Sequence, residues 1–270
     1  MTQDKEPFKG KWALILGASS GFGGATALEL ASTGMSIFGV HLDTRATLPR
    51  VKELVSNIEA TGQKAFYFNT NAADPLRRSQ VLDRIGEVLK GDGGSIGVVL
   101  HSLAFGSLRP YISREGQEAI TQAQMEMTLD VMAHSLVYWT QDLVARGLMA
   151  KGGKVFAMTS AGSQRVVPTY GAVSAAKAAL EAHVRQLAFE LAPLGICVNA
   201  IRAGVTDTPA LRKIPGHEEM MSQARSKNPQ GRMTTPEDVA KAITALCQPG
   251  TYWITGNIIG ADGGEDIAGF

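Results

Sequence analysis

The chain has 270 residues, of which 44% are hydrophobic and 19% are charged, a composition typical of an ordinary soluble globular protein. Its 26 Lys and Arg residues nearly balance its 25 Asp and Glu residues, and the formal net charge is +1. This balance provides no field that would attract nucleic acid or an anionic membrane. The length suits one large α/β domain, and no uninterrupted apolar run is long enough to cross a bilayer.

The N-terminal segment and the cysteines indicate the cellular compartment. The segment MTQDKEPFKGK is charged and lacks the apolar core of a secretory signal. Cys197 and Cys247 lie in apolar stretches, without the spacing of a metal site or a disulfide framework. We expect both to be buried free thiols, which suits a reducing compartment. These features favour a cytoplasmic protein without a metal site.

Seven short apolar runs predict strands that are buried on both faces, because their hydrophobic residues are nearly continuous rather than alternating. In chain order, these runs are WALILG, SIFGVH, KAFYFN, IGVVLH, KVFAMT, ICVNAI and GNIIGAD. Amphipathic stretches that predict helices lie at 23–33, about 48–61, 76–90, roughly 118–146, 170–192 and 236–246. Strands and helices that alternate in this way form right-handed crossovers and a parallel sheet. The sequence therefore predicts a single α/β domain over residues 1–270, doubly wound, with a seven-stranded parallel sheet and helices on both faces.

The first predicted strand leads into GASSGFGG, in which Gly17, Gly21 and Gly23 precede a helix. Glycine permits a tight turn and a close backbone approach to a pyrophosphate, and the helix N-terminus offers free N–H groups to the phosphates. Ser19 and Ser20 add hydroxyl donors. A βα turn also favours glycine for its geometry alone, but the place of the pattern between strand and helix indicates a dinucleotide-binding Rossmann fold.

The end of the second strand distinguishes the two nicotinamide cofactors. An acidic residue there binds the ribose of NAD, whereas a basic residue receives the 2′-phosphate of NADP. The strand ends GVHLDTR, with His41 where the acid is expected and Arg45 four residues later. These two residues favour NADPH, and Asp43 between them leaves NADH possible. All three residues also fit a solvated turn.

The helix predicted at 170–192 carries Tyr170 and Lys177, which are seven positions apart. Four residues advance a helix by about 400° and seven by about 700°, so either spacing keeps two side chains within about 40° of one face. The rise between them differs, at about 6 Å for four residues and about 10.5 Å for seven. A tyrosine at the longer spacing is therefore placed for an atom farther from the lysine.

Several motifs together resemble the short-chain dehydrogenase/reductase superfamily, from about residue 11 to residue 264. They are GASSGFG, HSLAFGSLRP, the Tyr170/Lys177 pair, NAIRAGVTDT and ITGNIIGADGG. The likeness is greatest to the enoyl-acyl-carrier-protein reductases, including the NADPH-dependent type III enzymes. It implies reduction of an enoyl thioester on acyl carrier protein by NADPH or NADH, and a homotetramer or homodimer. Ketone-reducing members place the tyrosine four residues before the lysine, where this chain has Val173.

The resemblance also implies a role for each matching residue. Tyr170 would stabilise an enolate oxygen, Lys177 would hold the nicotinamide ribose, and Ser160 would either polarise the substrate or pack against the pocket. Cofactor contacts are implied for Gly17, Ser19, Ser20, Gly21, Phe22, His41, Arg45, Asn71, Ala72, Ser102, Leu103, Lys177, Gly204, Val205 and Thr208. The weakly periodic stretch at about 206–232 is expected to form a substrate lid.

Two other functions stay open on the sequence alone. The first is a ketone or alcohol dehydrogenase of the same superfamily, acting on a 3-oxoacyl-acyl-carrier-protein, a sterol or a sugar. Val173 disfavours it, because a valine side chain has no proton to donate. The second is a non-catalytic subunit that senses nucleotide, which the presence of both Tyr170 and Lys177 disfavours.

Overall fold

A computed structural model describes residues 8–113 and 115–268. Within these ranges seven strands form one sheet in the order β3-β2-β1-β4-β5-β6-β7, and every neighbouring pair is parallel. The strands are β1 (Lys11–Leu16), β2 (Ser36–His41), β3 (Ala65–Asn69), β4 (Ser95–His101), β5 (Met149–Thr159), β6 (Cys197–Ala203) and β7 (Ile258–Ala261). The strand order reverses between β1 and β4, and ligands of such sheets bind beyond the carboxyl ends of the strands at that switch point.

Helices cover both faces of the sheet. They are α1 (Gly21–Ser32), α2 (Leu48–Glu59), α3 (Pro75–Asp92), α4 (Gln122–Leu129), α5 (Ser135–Ala145), α6 (Gly171–Leu191), α7 (His217–Lys227) and α8 (Pro236–Leu246). One hydrophobic core packs α3, α5 and α6 against the sheet, and a second packs α1, α2 and α8 against the other face. This arrangement confirms the predicted doubly wound Rossmann fold.

The helix predicted at 118–146 is shorter and less regular in the structure. Thr121 caps α4, because its hydroxyl accepts the Gln124 N–H and the Gln124 side chain accepts the Thr121 N–H. A π-helical turn over Asp130–His134 then joins α4 to α5. Such turns insert one extra residue into a helix and are frequent near functional sites.

Two other segments also differ from the sequence prediction. Strand β5 begins at Met149 rather than at 154, and its first residues are partly exposed. The stretch at 206–232 contains helix α7, of which Ala224 is the buried residue. Because α7 presents almost no apolar face to the core, the periodicity of its sequence is too weak to predict a helix.

Both cysteines are free and buried, as expected. Burial raises the pKa of the Cys247 thiol to about 12, so the thiol stays protonated at neutral pH. Within the described ranges, no helix has both the length and the apolar character needed to cross a bilayer.

Trp139 connects α5 to the turn that follows β3. Its ring is fully buried, and the indole Nε1–H donates a 2.8 Å hydrogen bond to the carbonyl oxygen of Ala72. A buried donor or acceptor without a partner is costly, so this bond satisfies both groups at once. It also holds the turn after β3 beside the carboxyl edge of the sheet.

We expect Trp139→Phe to lower the free energy of unfolding by about 1–3 kcal/mol, because the Ala72 carbonyl loses its donor, and the smaller ring adds to that loss. Tyr138→Phe is the matched control at the neighbouring, partly exposed position, and it should change stability by less than about 0.5 kcal/mol. Urea unfolding measures both variants. Equal stability of Trp139→Phe and the wild type would contradict the anchoring role.

Candidate active site

The carboxyl ends of the strands bring the expected cofactor residues together. Gly17 has φ +87°, and a Cβ atom there would collide with the carbonyl oxygen of Ser102 at the end of β4. Gly21 lies against the segment that follows β6, since a Cβ there would be 3.5 Å from Cγ2 of Thr208. Residues predicted from three separate motifs therefore meet at the switch point of the sheet.

The glycine-rich turn has the shape of a phosphate cradle. A Cβ at Gly23 would collide with the carbonyl oxygen of Gly17, so no side chain fits between the turn and α1. The N–H groups of Gly17 and Ala18 both donate to the carbonyl oxygen of Val40, which holds the turn against β2. Ser20 is the N-cap residue of α1. A helix N-terminus behind a bare glycine turn is an anion site, and the residues present fit the pyrophosphate of a dinucleotide.

The segment after β2 contains a paired acid and imidazole. His41 is buried, and its Nδ1 lies 2.9 Å from Oδ2 of Asp43. Burial alone would raise the pKa of Asp43, but hydrogen bonds from Thr47, Ser19 and His41 outweigh it and lower the pKa. Arg45 is exposed. His41 is therefore buried and paired with Asp43, and Arg45 is the accessible base of this segment.

Asn71 and Ala72, the cofactor residues expected after β3, form hydrogen bonds within the protein. The Asn71 side chain accepts the N–H of Ala73 at 3.0 Å, and Ala72 is a core residue whose carbonyl accepts the Trp139 indole. Phe22 and Leu103 are partly buried and pack against the two cores on opposite sides of the sheet. These residues shape the walls of the site.

The segment after β6 is held by a carboxylate that the sequence analysis did not identify. The Val205 N–H donates to both carboxylate oxygens of Glu265, at 3.2 and 3.1 Å. A Cβ at Gly204 would collide with Oγ1 of Thr234 and lie 2.8 Å from Oε2 of Glu265, so the segments touch closely at this glycine. While this contact holds, the Val205 N–H is not free to bind a nicotinamide carboxamide. Glu265 follows β7 in a turn that matches no catalytic motif, and nothing in the sequence pairs it with Val205.

Ser160 and Tyr170 lie together beyond the end of β5, and Lys177 contacts that strand at Met158. Tyr170 is the N-cap residue of α6, with φ −90° and ψ 1°, so the helix begins one residue later than predicted. A Cβ at Gly162 would lie 2.7 Å from Cε1 of Tyr170 and 3.1 Å from Oγ of Ser160. The Ser160 hydroxyl is buried and has no hydrogen-bond partner among the described residues. The structure thus places a buried hydroxyl beside the phenol.

Known proteins of similar sequence and structure include both enoyl and keto reductases. The family described as enoyl-(acyl carrier protein) reductase matches residues 17–265. Enoyl-[acyl-carrier-protein] reductase [NADH] FabI of Aquifex aeolicus is 30% identical over 188 residues, which are 70% of this chain and 68% of that protein. The structure of FabI from Candidatus Liberibacter asiaticus has a TM-score of 0.85 at 27% identity and covers 98% of both chains. The reductase LugOII, which catalyses a keto-reduction in lugdunomycin biosynthesis, is 28% identical with a TM-score of 0.81, over 97% of this chain and 99% of its own.

The chain belongs to the short-chain dehydrogenase/reductase superfamily, near the enoyl-acyl-carrier-protein reductases. It is an oxidoreductase of this superfamily, and the residues gathered at the switch point fit a nicotinamide cofactor. Identities near 30% identify the superfamily but leave the substrate to be argued from the side chains of the site.

Lys177 is buried, and a nearby carboxylate partly compensates the positive charge of its ammonium group. Its Nζ donates a 2.6 Å hydrogen bond to the carbonyl oxygen of Met158. Burial lowers the pKa of Lys177 to about 8, and the Glu181 carboxylate opposes that fall. Glu181 itself accepts a 2.6 Å hydrogen bond from the hydroxyl of Thr159. Lys177 is therefore mostly charged at neutral pH and titrates just above it.

The phenol of Tyr170 keeps its proton. Burial raises its pKa, and the nearby Ser160 hydroxyl opposes only part of that rise without forming a hydrogen bond in this geometry. The position four residues before the lysine is apolar and buried, because Val173 packs beside Met132 around Gly106. Tyr170 is therefore a hydrogen-bond donor at neutral pH, with no second proton donor at Val173.

Cofactor affinity should weaken as pH rises through about 8, because Lys177 then loses the charge and one of the protons that would hold the ribose. The loss should approach about tenfold per pH unit above that point, the limit for one linked proton. Glu181→Gln removes the opposing carboxylate, lowers the pKa of Lys177 further and should move the decline to lower pH. Fluorescence titration with reduced cofactor between pH 6.5 and 10 measures both proteins, and an affinity that stays constant over this range would contradict the assignment.

Proposed function

We propose that this reductase uses NADPH to reduce the 2,3 double bond of an enoyl thioester carried by acyl carrier protein. The observation that carries the proposal is the protonated phenol of Tyr170, seven residues before a buried Lys177, with the apolar Val173 at the position of the ketone-reducing tyrosine. The family match supports the same substrate class.

The spacing suits the chemistry of a conjugated double bond. Bound NADPH supplies hydride, which in this reaction goes to Cβ of the enoyl group. Negative charge then develops on the thioester oxygen, which is separated from Cβ by Cα and the carbonyl carbon. In a ketone, by contrast, the charged oxygen is bonded to the carbon that receives hydride. The Tyr170 hydroxyl, seven residues before Lys177 and at the N-cap of α6, suits the more distant oxygen.

The side chains of the site have complementary roles in this scheme. Tyr170 donates a hydrogen bond to the developing enolate oxygen, and the Ser160 hydroxyl beside it is a second donor. Lys177 holds the nicotinamide ribose and supplies positive potential. The proton reaches Cα from Tyr170 or from solvent. Donors that are oriented before the reaction contribute several kcal/mol to such oxyanions.

Arg45 supports NADPH as the cofactor. It is the exposed base after β2, and a 2′-phosphate requires an accessible positive charge. Asp43 supports NADH as the alternative cofactor, because its carboxylate is hydrogen-bonded to Ser19 of the glycine-rich turn. The name of the Aquifex relative also specifies NADH. We favour NADPH. The Asp43 carboxylate repels a 2′-phosphate, but the positive charge of Arg45 offsets that repulsion.

The surroundings of the site complete the proposal. The stretch at 206–232, with α7 inside it, is proposed as the lid over the acyl chain, and the assembly is proposed as a homotetramer or homodimer in the cytoplasm. A lid of this kind excludes water during hydride transfer.

Tyr170→Phe should slow reduction of a crotonyl thioester by about 10² to 10³, the effect of deleting one oxyanion donor. Ring packing against Gly162 is retained, so NADPH affinity should change little. Lys177→Ala is the contrasting variant, and it should impair both affinity and turnover because ribose contact and charge are lost together. Stopped-flow NADPH oxidation and fluorescence titration separate the two effects. A Tyr170→Phe enzyme with wild-type turnover would overturn the role of the phenol.

Arg45→Ala should weaken NADPH binding by about tenfold or more while NADH binding is nearly unchanged, because one charge-assisted contact to the 2′-phosphate is lost. Arg50→Ala, another exposed arginine on the neighbouring helix α2, is the matched control and should leave the preference intact. Parallel titrations with both cofactors give the ratio. Tighter NADH binding by the wild type would instead assign the ribose to Asp43.

A further inference from the structure

Thr169, the residue immediately before Tyr170, has a strained backbone. Its φ is +62°, and across residues 8–113 and 115–268 it is the one residue other than glycine with positive φ. A β-branched side chain is a genuine outlier in this region, because its branch crowds the backbone.

The strain lies in a tight turn over residues 167–170. The Tyr170 N–H donates a 3.1 Å hydrogen bond to the carbonyl oxygen of Val167 and closes the turn. Pro168 holds the second position and Thr169 the third. A turn with proline second and positive φ third usually has glycine or asparagine at the third position. Threonine is thus a disfavoured residue for this turn.

The Thr169 side chain does not compensate for the strain. Its Oγ1 is buried and has no hydrogen-bond partner within the part of the chain that the structure describes. Asparagine and aspartate tolerate this conformation because their side chains bond to nearby backbone. The conformation of Thr169 must therefore be held by the packing of the segments around the turn.

Two contacts hold the chain at and next to Tyr170. Gly162 meets one edge of the Tyr170 ring, as described above. At the following residue, a Cβ at Gly171 would lie 2.7 Å from Cζ of Tyr111, so the Tyr111 ring rests on the first residue of α6. A change of φ at Thr169 reorients the peptide that leads into Tyr170, whose ring lies against Gly162 and whose next residue lies against Tyr111.

We propose that Thr169 is a positioning residue for Tyr170. The β-branched side chain stiffens the strained turn, and the turn fixes the direction in which the phenol enters the site. The role lies in conformation rather than in the Thr169 hydroxyl. It rests on the proposed function only in taking Tyr170 as the reacting hydroxyl.

The first test is Thr169→Gly, which keeps the turn but removes both the strain and the stiffening branch. We expect its Tm to rise by about 2–4 °C, because glycine adopts positive φ without crowding. The kcat should fall by about tenfold or more, since a small misplacement of a reacting group is costly, while KM and NADPH affinity stay within about threefold. A higher Tm together with a lower kcat is the result that a positioning role predicts. A lower Tm, or a higher Tm with wild-type kcat, would overturn the proposal.

Two further variants isolate the cause. Thr169→Asn tolerates the conformation with an ordered side chain and should recover kcat to within about threefold of the wild type. Thr169→Val keeps the branch without the hydroxyl and should also retain kcat. If Thr169→Val loses turnover as Thr169→Gly does, the hydroxyl is the functional group and the positioning role is wrong. Gln164→Ala, at an exposed position of the same loop, is the control for general disturbance.

The assay substrate is whichever of the crotonyl and acetoacetyl thioesters the wild type reduces. If the wild type does not reduce the enoyl thioester, the proposed function is wrong, but the positioning role of Thr169 is still tested with the other substrate. The Tm comparison needs no substrate at all.

Discussion

The Lys177 ammonium donates a 2.6 Å hydrogen bond to the Met158 carbonyl oxygen, at the buried crossing of α6 over the end of β5. This contact ties α6 to the end of β5 at the one lysine on which the proposed site depends. Tyr170 stands at the N-cap of the same helix, and Val173 lies in the apolar wall between them in sequence. Burial at this crossing lowers the pKa of Lys177 to about 8, and the Glu181 carboxylate compensates only in part.

In the proposed function, the spacing between the tyrosine and Lys177 decides which oxygen receives the hydrogen bond. The cofactor cradle at Gly17 and Gly23 is common to both chemistries and carries no information about the substrate. The distinguishing feature is the chemistry of the side chains at the two possible tyrosine positions. Here the nearer position is a buried valine, and the farther one is a phenol whose pKa burial keeps high.

Features set by local sequence could be predicted, whereas contacts between distant segments could not. Continuous apolar runs located all seven strands, and the glycine pattern located the β1–α1 turn, because both signals are contained in a few consecutive residues. The contact between Glu265 and Val205 joins positions 60 residues apart, and no spacing rule connects them. The positive φ of Thr169 runs against its residue type and is held by packing. The Asp43 N–H likewise donates a hydrogen bond to Oδ1 of Asn69 at the end of the neighbouring strand β3, 26 residues away.

The comparison that bears most directly on this account is the initial rate of NADPH oxidation by the wild-type enzyme with crotonyl and acetoacetyl thioesters of the same carrier. A phenol placed for the distant oxygen, beside an inert Val173, predicts that the enoyl substrate is reduced faster by about a hundredfold or more, the value of one well-placed oxyanion donor. Efficient reduction of the acetoacetyl thioester with no reduction of the crotonyl thioester would contradict the account.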